Sequence, residues 1–230
     1  MVPDERASLD DAAVDDATVD DAPLDAEASA ALIDAQRVRV AAATAVNGRL
    51  LFGVWGAAWL VGFGALYSVA TDPPLLGWPT WLAGSVFAGL LVLAMVVTGA
   101  HIATRTAGVR GVSASAGAMY GWAWFVSFAG VFALGAGLAR AGASPEIRQL
   151  VMTIVPLLLV GGLYMAGGAI WGDRAQFGLG VWIAAVAMVA AVVGPPHLLL
   201  VAAIAGGGGL LTASVLEHLR RVRTGSRTAR

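Results

Sequence analysis

At 230 residues, with 58% hydrophobic and 13% charged side chains and a mean hydropathy of +0.78, the chain lies outside the soluble globular range. A soluble domain of this size has no interior large enough to hide so much apolar surface. The absence of cysteine removes disulfides, thiolate catalysis and sulfur-ligated metals, and the net charge of −1 conceals an acidic start and a basic end.

Eleven of the fifteen acids precede Ala35. Residues 1–29 carry the five-residue repeat Asp10-Asp11-Ala-Ala-Val14, Asp15-Asp16-Ala-Thr-Val19, Asp20-Asp21-Ala-Pro-Leu24, which fits neither helical nor strand periodicity. With few large apolar groups to offset its ordering entropy, this stretch reads as a disordered acidic tail. It lacks the spacing of an EF-hand loop and the basic head of a secretory signal peptide. Residues 30–48 read as a juxtamembrane helix, with Leu32, Ile33, Val40 and Ala43 near one face, Arg37 and Arg39 beside it, and Asn47-Gly48 as its stop. Such a helix suits either the headgroup layer or the cytosol.

A bilayer core about 30 Å thick needs roughly 20 mostly apolar helical residues to cross it, and residues 49–222 supply six such segments. The first runs from Leu51 to Ala70 and the second from Trp81 to Ala103, separated by Pro73, Pro74 and Pro79. The third covers Gly117 to Leu138. The fourth opens on Ser144-Pro145-Glu146, an N-cap with proline at N1 and an acid in the first turn, and reaches Trp171 with Pro156 inside as an expected kink. Asp173, with Gln176 as its N3 partner, opens the fifth, so the fourth and fifth are antiparallel neighbours. After Gly194-Pro195-Pro196 the sixth continues to Val222, and residues 223–230 form a basic tail.

Arginine counting sets orientation. A cytoplasmic N-terminus puts Arg37, Arg39, Arg49, Arg105, Arg110, Arg174 and the five C-terminal arginines inside, and leaves Arg140 and Arg148 outside. Trp55, Trp59, Tyr120, Trp122, Trp171 and Trp182 then fall near the inner boundary, and Tyr67, Trp78 and Trp81 near the outer one. The expected location is a bacterial cytoplasmic (inner) membrane, with both termini cytoplasmic.

Trp55-Gly-Ala-Ala-Trp-Leu-Val-Gly-Phe63 aligns with Tyr120-Gly-Trp-Ala-Trp-Phe-Val-Ser-Phe128, and Gly99-Ala100 and Arg105 align weakly with Gly168-Ala169 and Arg174. The pattern suggests a repeated helical hairpin, as in many transporters; recurrence of Gly, Ala and Trp by composition is the competing account. Pairs four residues apart (Gly53 with Ala57, Ala58 with Gly62, Gly99 with Ala103, Gly168 with Gly172, Ala205 with Gly209) read as helix-packing faces. Four successive glycines, Gly206 to Gly209, weaken the sixth helix, either as a hinge or as a tight contact.

No Asp, Glu or Arg occupies the middle of a span, which argues against carboxylate-coupled carriers and voltage sensors. The candidate substrate path therefore consists of His101, Ser127, Thr153, Pro156, Tyr164 and Gly207, with Thr98 a further polar group; each hydroxyl can instead bond its own helix backbone. No HExxH, GxSxG or Walker pattern occurs, so neither catalysis nor a metal site is expected. His101 and His218, at helix ends on the same side, were they to ligate haem, would form the one cofactor arrangement open to this chain; His218 falls beyond the bilayer, so no cofactor is expected. Arg220, Arg221 and Arg223 directly follow a span and suit anionic lipid rather than nucleic acid. Expected partners are membrane lipids, with self-association or a partner membrane subunit as further options.

From about residue 31 to 221 the chain resembles a group of small six-helix membrane proteins of high-GC bacteria that carry only the general label transporter. The resemblance rests on Leu51-Phe-Gly-Val-Trp-Gly-Ala-Ala-Trp59, Thr98-Gly-Ala-His-Ile-Ala-Thr-Arg105, Ala118-Met-Tyr-Gly-Trp-Ala-Trp124 and Leu163-Tyr-Met-Ala-Gly-Gly-Ala-Ile-Trp171. It implies a small permease-like protein and assigns no site residue. The alternative is a non-transporting membrane sensor, scaffold or assembly partner that works through its charged tails.

Overall fold

The computed structural model describes residues 25–44, 47–107 and 112–228. The acidic repeat lies outside the described residues. Among them there is no strand, and six helices are long and apolar enough to cross a membrane, in agreement with an all-α membrane bundle. Helix α1 (Ala26–Thr44) belongs to a unit separate from the apolar helices, and its Leu32 and Ile33 are exposed.

The spanning helices are α2 (Gly48–Ala70), α3 (Thr80–Thr106), α4 (Val112–Arg140), α5 (Pro145–Trp171) and α6 (Arg174–Val193). The sixth span is composite: α7 (His197–Val201), a π-helical segment (Ala202–Gly207) and α8 (Gly208–Thr228), which runs past Val222.

The local start signals act as their chemistry requires. Ser144 Oγ accepts from the Ile147 N–H at 3.3 Å with Pro145 at N1, and α5 continues as helix through Pro156 to Trp171. Asp173 Oδ1 accepts from the Ala175 and Gln176 N–H groups at 2.9 and 3.0 Å. Between α5 and α6 the chain reverses at Gly172 (φ 67°), a left-handed position that favours glycine, and the Asp173 N–H donates to the Gly168 carbonyl at 2.8 Å. That bond takes the donor a reciprocal capping box would use. The Gln176 amide lies instead over Gly167, where a Cβ would come within 2.5 Å of its Nε2.

The most extensive contact is between α5 and α6. Helix α2 packs on α3 along one side and on α7, the π segment and α8 along another, whereas among the described residues the backbone of α3 comes close to that of α2 and the backbone of α4 to that of α5. Although consecutive in sequence, α3 and α4 have no Cα atoms within 8 Å of each other among the described residues. One core joins the central helices: Leu157, Ile183, Leu198 and Leu210 are fully buried, with Trp59 and Phe63 packed beside them. Trp59 is thus a core residue and not the boundary anchor expected from sequence.

Contact between central helices is backbone to backbone. A Cβ on Gly161 would lie 2.9 Å from the Gly180 carbonyl oxygen, and one on Gly168 would lie 2.6 Å from the Phe177 nitrogen. Similarly, a Cβ on Gly207 would lie 2.6 Å from the Leu60 nitrogen, and one on Gly56 would lie 2.9 Å from that of Leu211. In the glycine run, Gly206 and Gly207 end the π-helical segment and are buried, with Gly207 in tight contact with α2. Two expected packing pairs differ: Gly99 faces open space beside the exposed Ala103, and Gly172 serves the turn.

Gly161→Val in α5 should destabilise the detergent-solubilised protein by about 1–3 kcal/mol, as overpacking does. The adjacent Gly162→Val, where nothing lies within 4 Å, should fall within about 0.5 kcal/mol of the parent in the same unfolding assay.

Candidate functional site

Among the described residues no Cα of α2 lies within 8 Å of one of α4, and rings from α5 and its neighbours bridge the two helices. Tyr164 of α5 stands between Phe52 of α2 and Trp124 of α4, with ring centroids 6.3 and 6.0 Å away. Trp124 stacks on Phe128 at 5.9 Å and meets Tyr120 edge-on at 6.2 Å; Tyr120 in turn meets Trp171 edge-on at 4.8 Å. Edge-on and offset arrangements of this kind are favoured by the ring quadrupoles. Phe52, Trp55, Trp124, Phe128 and Tyr164 are all half-buried, so this aromatic cluster keeps part of its ring surface accessible.

Two polar links hold its walls. On the α3 side, the Trp55 indole N–H donates to Thr98 Oγ1 at 3.0 Å, and that hydroxyl donates to the Ala94 carbonyl at 2.7 Å. Thr98 thus bonds its own backbone and crosses to α2 as well. On the α4 side, the Tyr120 hydroxyl donates to the Leu163 carbonyl at 2.7 Å. That carbonyl is reachable because residue 167, one turn on, is glycine: a Cβ there would come within 2.6 Å of the Tyr120 oxygen.

The sequence-predicted path does not converge. Tyr164 sits in the aromatic cluster and Ser127, half-buried, precedes its Phe128 on α4. Thr153 is buried and Pro156 half-buried further along α5, while Gly207 is packed against α2. His101 belongs elsewhere: its Nε2 accepts the Asn47 backbone N–H at 3.0 Å, so it satisfies an orphan donor at the start of α2. A backbone N–H can only donate, which leaves the ring proton of His101 on Nδ1. Alongside, the Arg49 guanidinium donates to His218 Nδ1 at 2.9 Å, and Ser214 Oγ donates to the Arg49 carbonyl at 2.7 Å. The lone pairs that the two histidines would offer a haem iron are thus engaged by the first turn of α2. Arg220 is exposed at the end of α8, and the side chains of Arg221 and Arg223 lie outside the described residues.

Two surface depressions are lined by residues outside the aromatic cluster. One of about 480 Å³ is lined by Ala70, Pro145, Glu146, Gln149, Pro195 and Pro196, where α2 ends, α5 begins and the α6–α7 turn passes. The other, about 280 Å³, is a wholly apolar hollow among Met188, Val189, Val192 and Val193 on the outside of α6. Sequence reasoning found Tyr164 but missed Phe52, Trp124 and Phe128 as a group. Their only advance signal was the aligned Trp and Phe positions of the first and third spans.

No protein-family model, curated protein or solved structure matches the chain. Function is therefore argued from the residues alone.

His101→Leu should lower stability by about 1–3 kcal/mol, because it strands the Asn47 N–H. His101→Gln, whose amide oxygen can accept, should restore most of the loss in thermal melts; equal losses for both variants would remove the acceptor role.

Proposed function

We propose that the chain is a small permease-like protein of a bacterial cytoplasmic membrane that passes a small neutral or amphipathic solute along the aromatic cluster. The observation that carries this reading is the group of half-buried rings, Phe52, Tyr164 and Trp124, that bridges α2 and α4 where their backbones stay apart. Flat ring faces suit an apolar body, and the Thr98 and Tyr164 hydroxyls offer polar contacts. The middle of each span holds no Asp, Glu or Arg, so the solute is one that needs no buried counter-charge. Pro156 has no N–H to donate within α5, and the π segment interrupts the sixth span, so two central helices carry points of weak backbone bonding.

An even number of crossings would put both ends on one side, and the arginine count supports the cytoplasm as that side. Arg220, Arg221 and Arg223 would then meet anionic headgroups. The reading assigns no chemical reaction to the chain. The resemblance to small bacterial proteins labelled as transporters agrees with it.

A second reading, a non-transporting sensor, scaffold or assembly partner, draws support from a different observation. Only 6% of the apolar window of α3, and likewise of α4, is buried, against 28–44% for the other spans.

A thermal-shift screen of the purified full chain against small amphipathic compounds separates the two, since a ligand at about 100 times its Kd adds about 2.7 kcal/mol of stability. We expect a stabilising compound whose shift is lost in Trp124→Ala and Tyr164→Leu and kept when residues 1–29 are removed. Loss of biological activity on tail removal, with the cluster variants unaffected, would favour the second reading.

A further inference from the structure

We infer that the start of α2 is a proton-operated latch, in which His101 and His218 hold the first turn from two sides while neutral and release it when they take up protons. The inference stands apart from the transport reading. Histidine is the side chain whose charge changes between about pH 5 and 8, and its ring accepts a hydrogen bond only at a nitrogen that carries no proton. Both rings are acceptors here. The Asn47 backbone N–H donates to His101 Nε2 at 3.0 Å, and the Arg49 guanidinium donates to His218 Nδ1 at 2.9 Å. Neither donor can accept in return, so a proton added at either nitrogen meets another proton.

The two contacts reach one turn from different packing partners. His101 belongs to α3 and His218 to α8, and α2 packs on α3 along one side and on the sixth span along another. A third tie, Ser214 Oγ donating to the Arg49 carbonyl at 2.7 Å, does not titrate. Asn47 stands at the N-cap of α2, yet its side chain makes no capping bond.

That side chain gives the protonated form its own arrangement. Asn47 Oδ1 is buried with no hydrogen-bond partner among the described residues, a costly state for an acceptor. Protonated His101 becomes a donor at Nε2, and the residue whose N–H it held then offers it this oxygen. One ring thus serves the start of α2 in two ways, accepting from the backbone or donating to the side chain, and the proton selects between them. His218 has no second arrangement on Arg49: once charged, it faces the guanidinium as a like charge.

The surrounding charges act in the same direction. Besides Arg49, the elements that meet here carry Arg105 one turn beyond His101, Glu217 and Arg220 on α8, and Asp173 and Arg174 at the start of α6. The Asp173 carboxylate caps α6, which leaves Glu217 against four guanidiniums. The held turn needs both rings neutral, so the released form binds more protons and falling pH favours it. What loosens is the end of the helix that carries Phe52 and Trp55.

Hydrogen exchange of the full chain in lipid nanodiscs reads the latch. After correction for the intrinsic effect of pH, amides of residues 47–51 should exchange about tenfold faster at about pH 5.5 than at about pH 8, with mid-span amides unchanged. His101→Gln combined with His218→Gln keeps a neutral acceptor at both positions and should hold the slow rate at both pH values. His197→Gln, beside Tyr67 at the other end of α2, should leave the acid response intact. Should the double variant fail to fold, spectra of nitrogen-labelled histidine in the parent decide: the His101 and His218 rings must gain charge over the range in which exchange quickens. Exchange that ignores pH, an acid response that survives the double substitution, loosening spread evenly over the bundle, or rings that keep their charge would each overturn the proposal.

Discussion

In a bilayer a helix gains nothing by hiding leucine from its neighbours, because the lipid is as apolar as the leucine. The remaining gain comes from bringing backbones close, and this bundle is arranged around the places where glycine permits it. Gly161 with Gly180 joins α5 to α6, and Gly56 with Gly207 joins α2 to the π segment. The helices carrying these contacts are the well-buried ones. Bulky side chains are turned outward at little cost: Val192 is 90% exposed and Phe132 73%. In water such exposure would be costly; in lipid it is solvation.

Glycine also has a second use here. A helical carbonyl points toward the residue one turn on, and a Cβ at that position shields it. Leu163 is followed by Gly167 and Ala205 by Gly209, and each carbonyl accepts a second donor from a neighbouring helix, the Tyr120 hydroxyl and the Trp182 indole N–H. A Cβ at either glycine would collide with the donor's ring system. Small residues and amphipathic aromatics thus act as pairs, the first opening a carbonyl and the second bonding it.

Much of the architecture was legible because it depends on local chemistry. Hydropathy gave six spans, and Ser144, Pro145 and Asp173 marked helix starts through bonds to their own following residues. What required distant partners was not legible. Gly99-Ala103 and Gly161 look equivalent as sequence, yet one faces open space and the other α6, because cover depends on topology. Trp59 read as a boundary residue; Gly206 beneath its ring draws it into the core. His101 read as a path candidate, and nothing local to it announces the Asn47 N–H 54 residues away. The aligned Trp55 and Tyr120 of the first and third spans both donate to a residue 43 positions on, Thr98 and Leu163, whereas the weaker match of Gly99 with Gly168 lies one helical turn off that spacing.

The π segment shows how these elements constrain one another. The Gly208 N–H lies within bonding reach of the Ala203, Ile204 and Ala205 carbonyls together, so the backbone there sits between hydrogen-bond registers. Trp182 holds the Ala205 carbonyl at 3.0 Å from one side, and α2 holds Gly207 from the other. Further along, Ser214 and His218 tie α8 to Arg49 at the start of α2. A register change in the last span therefore cannot occur alone. It would have to release the indole from Ala205, slide Gly207 past Leu60 and strain the Arg49 contacts, all of which bear on α2, the helix that carries Phe52 and Trp55.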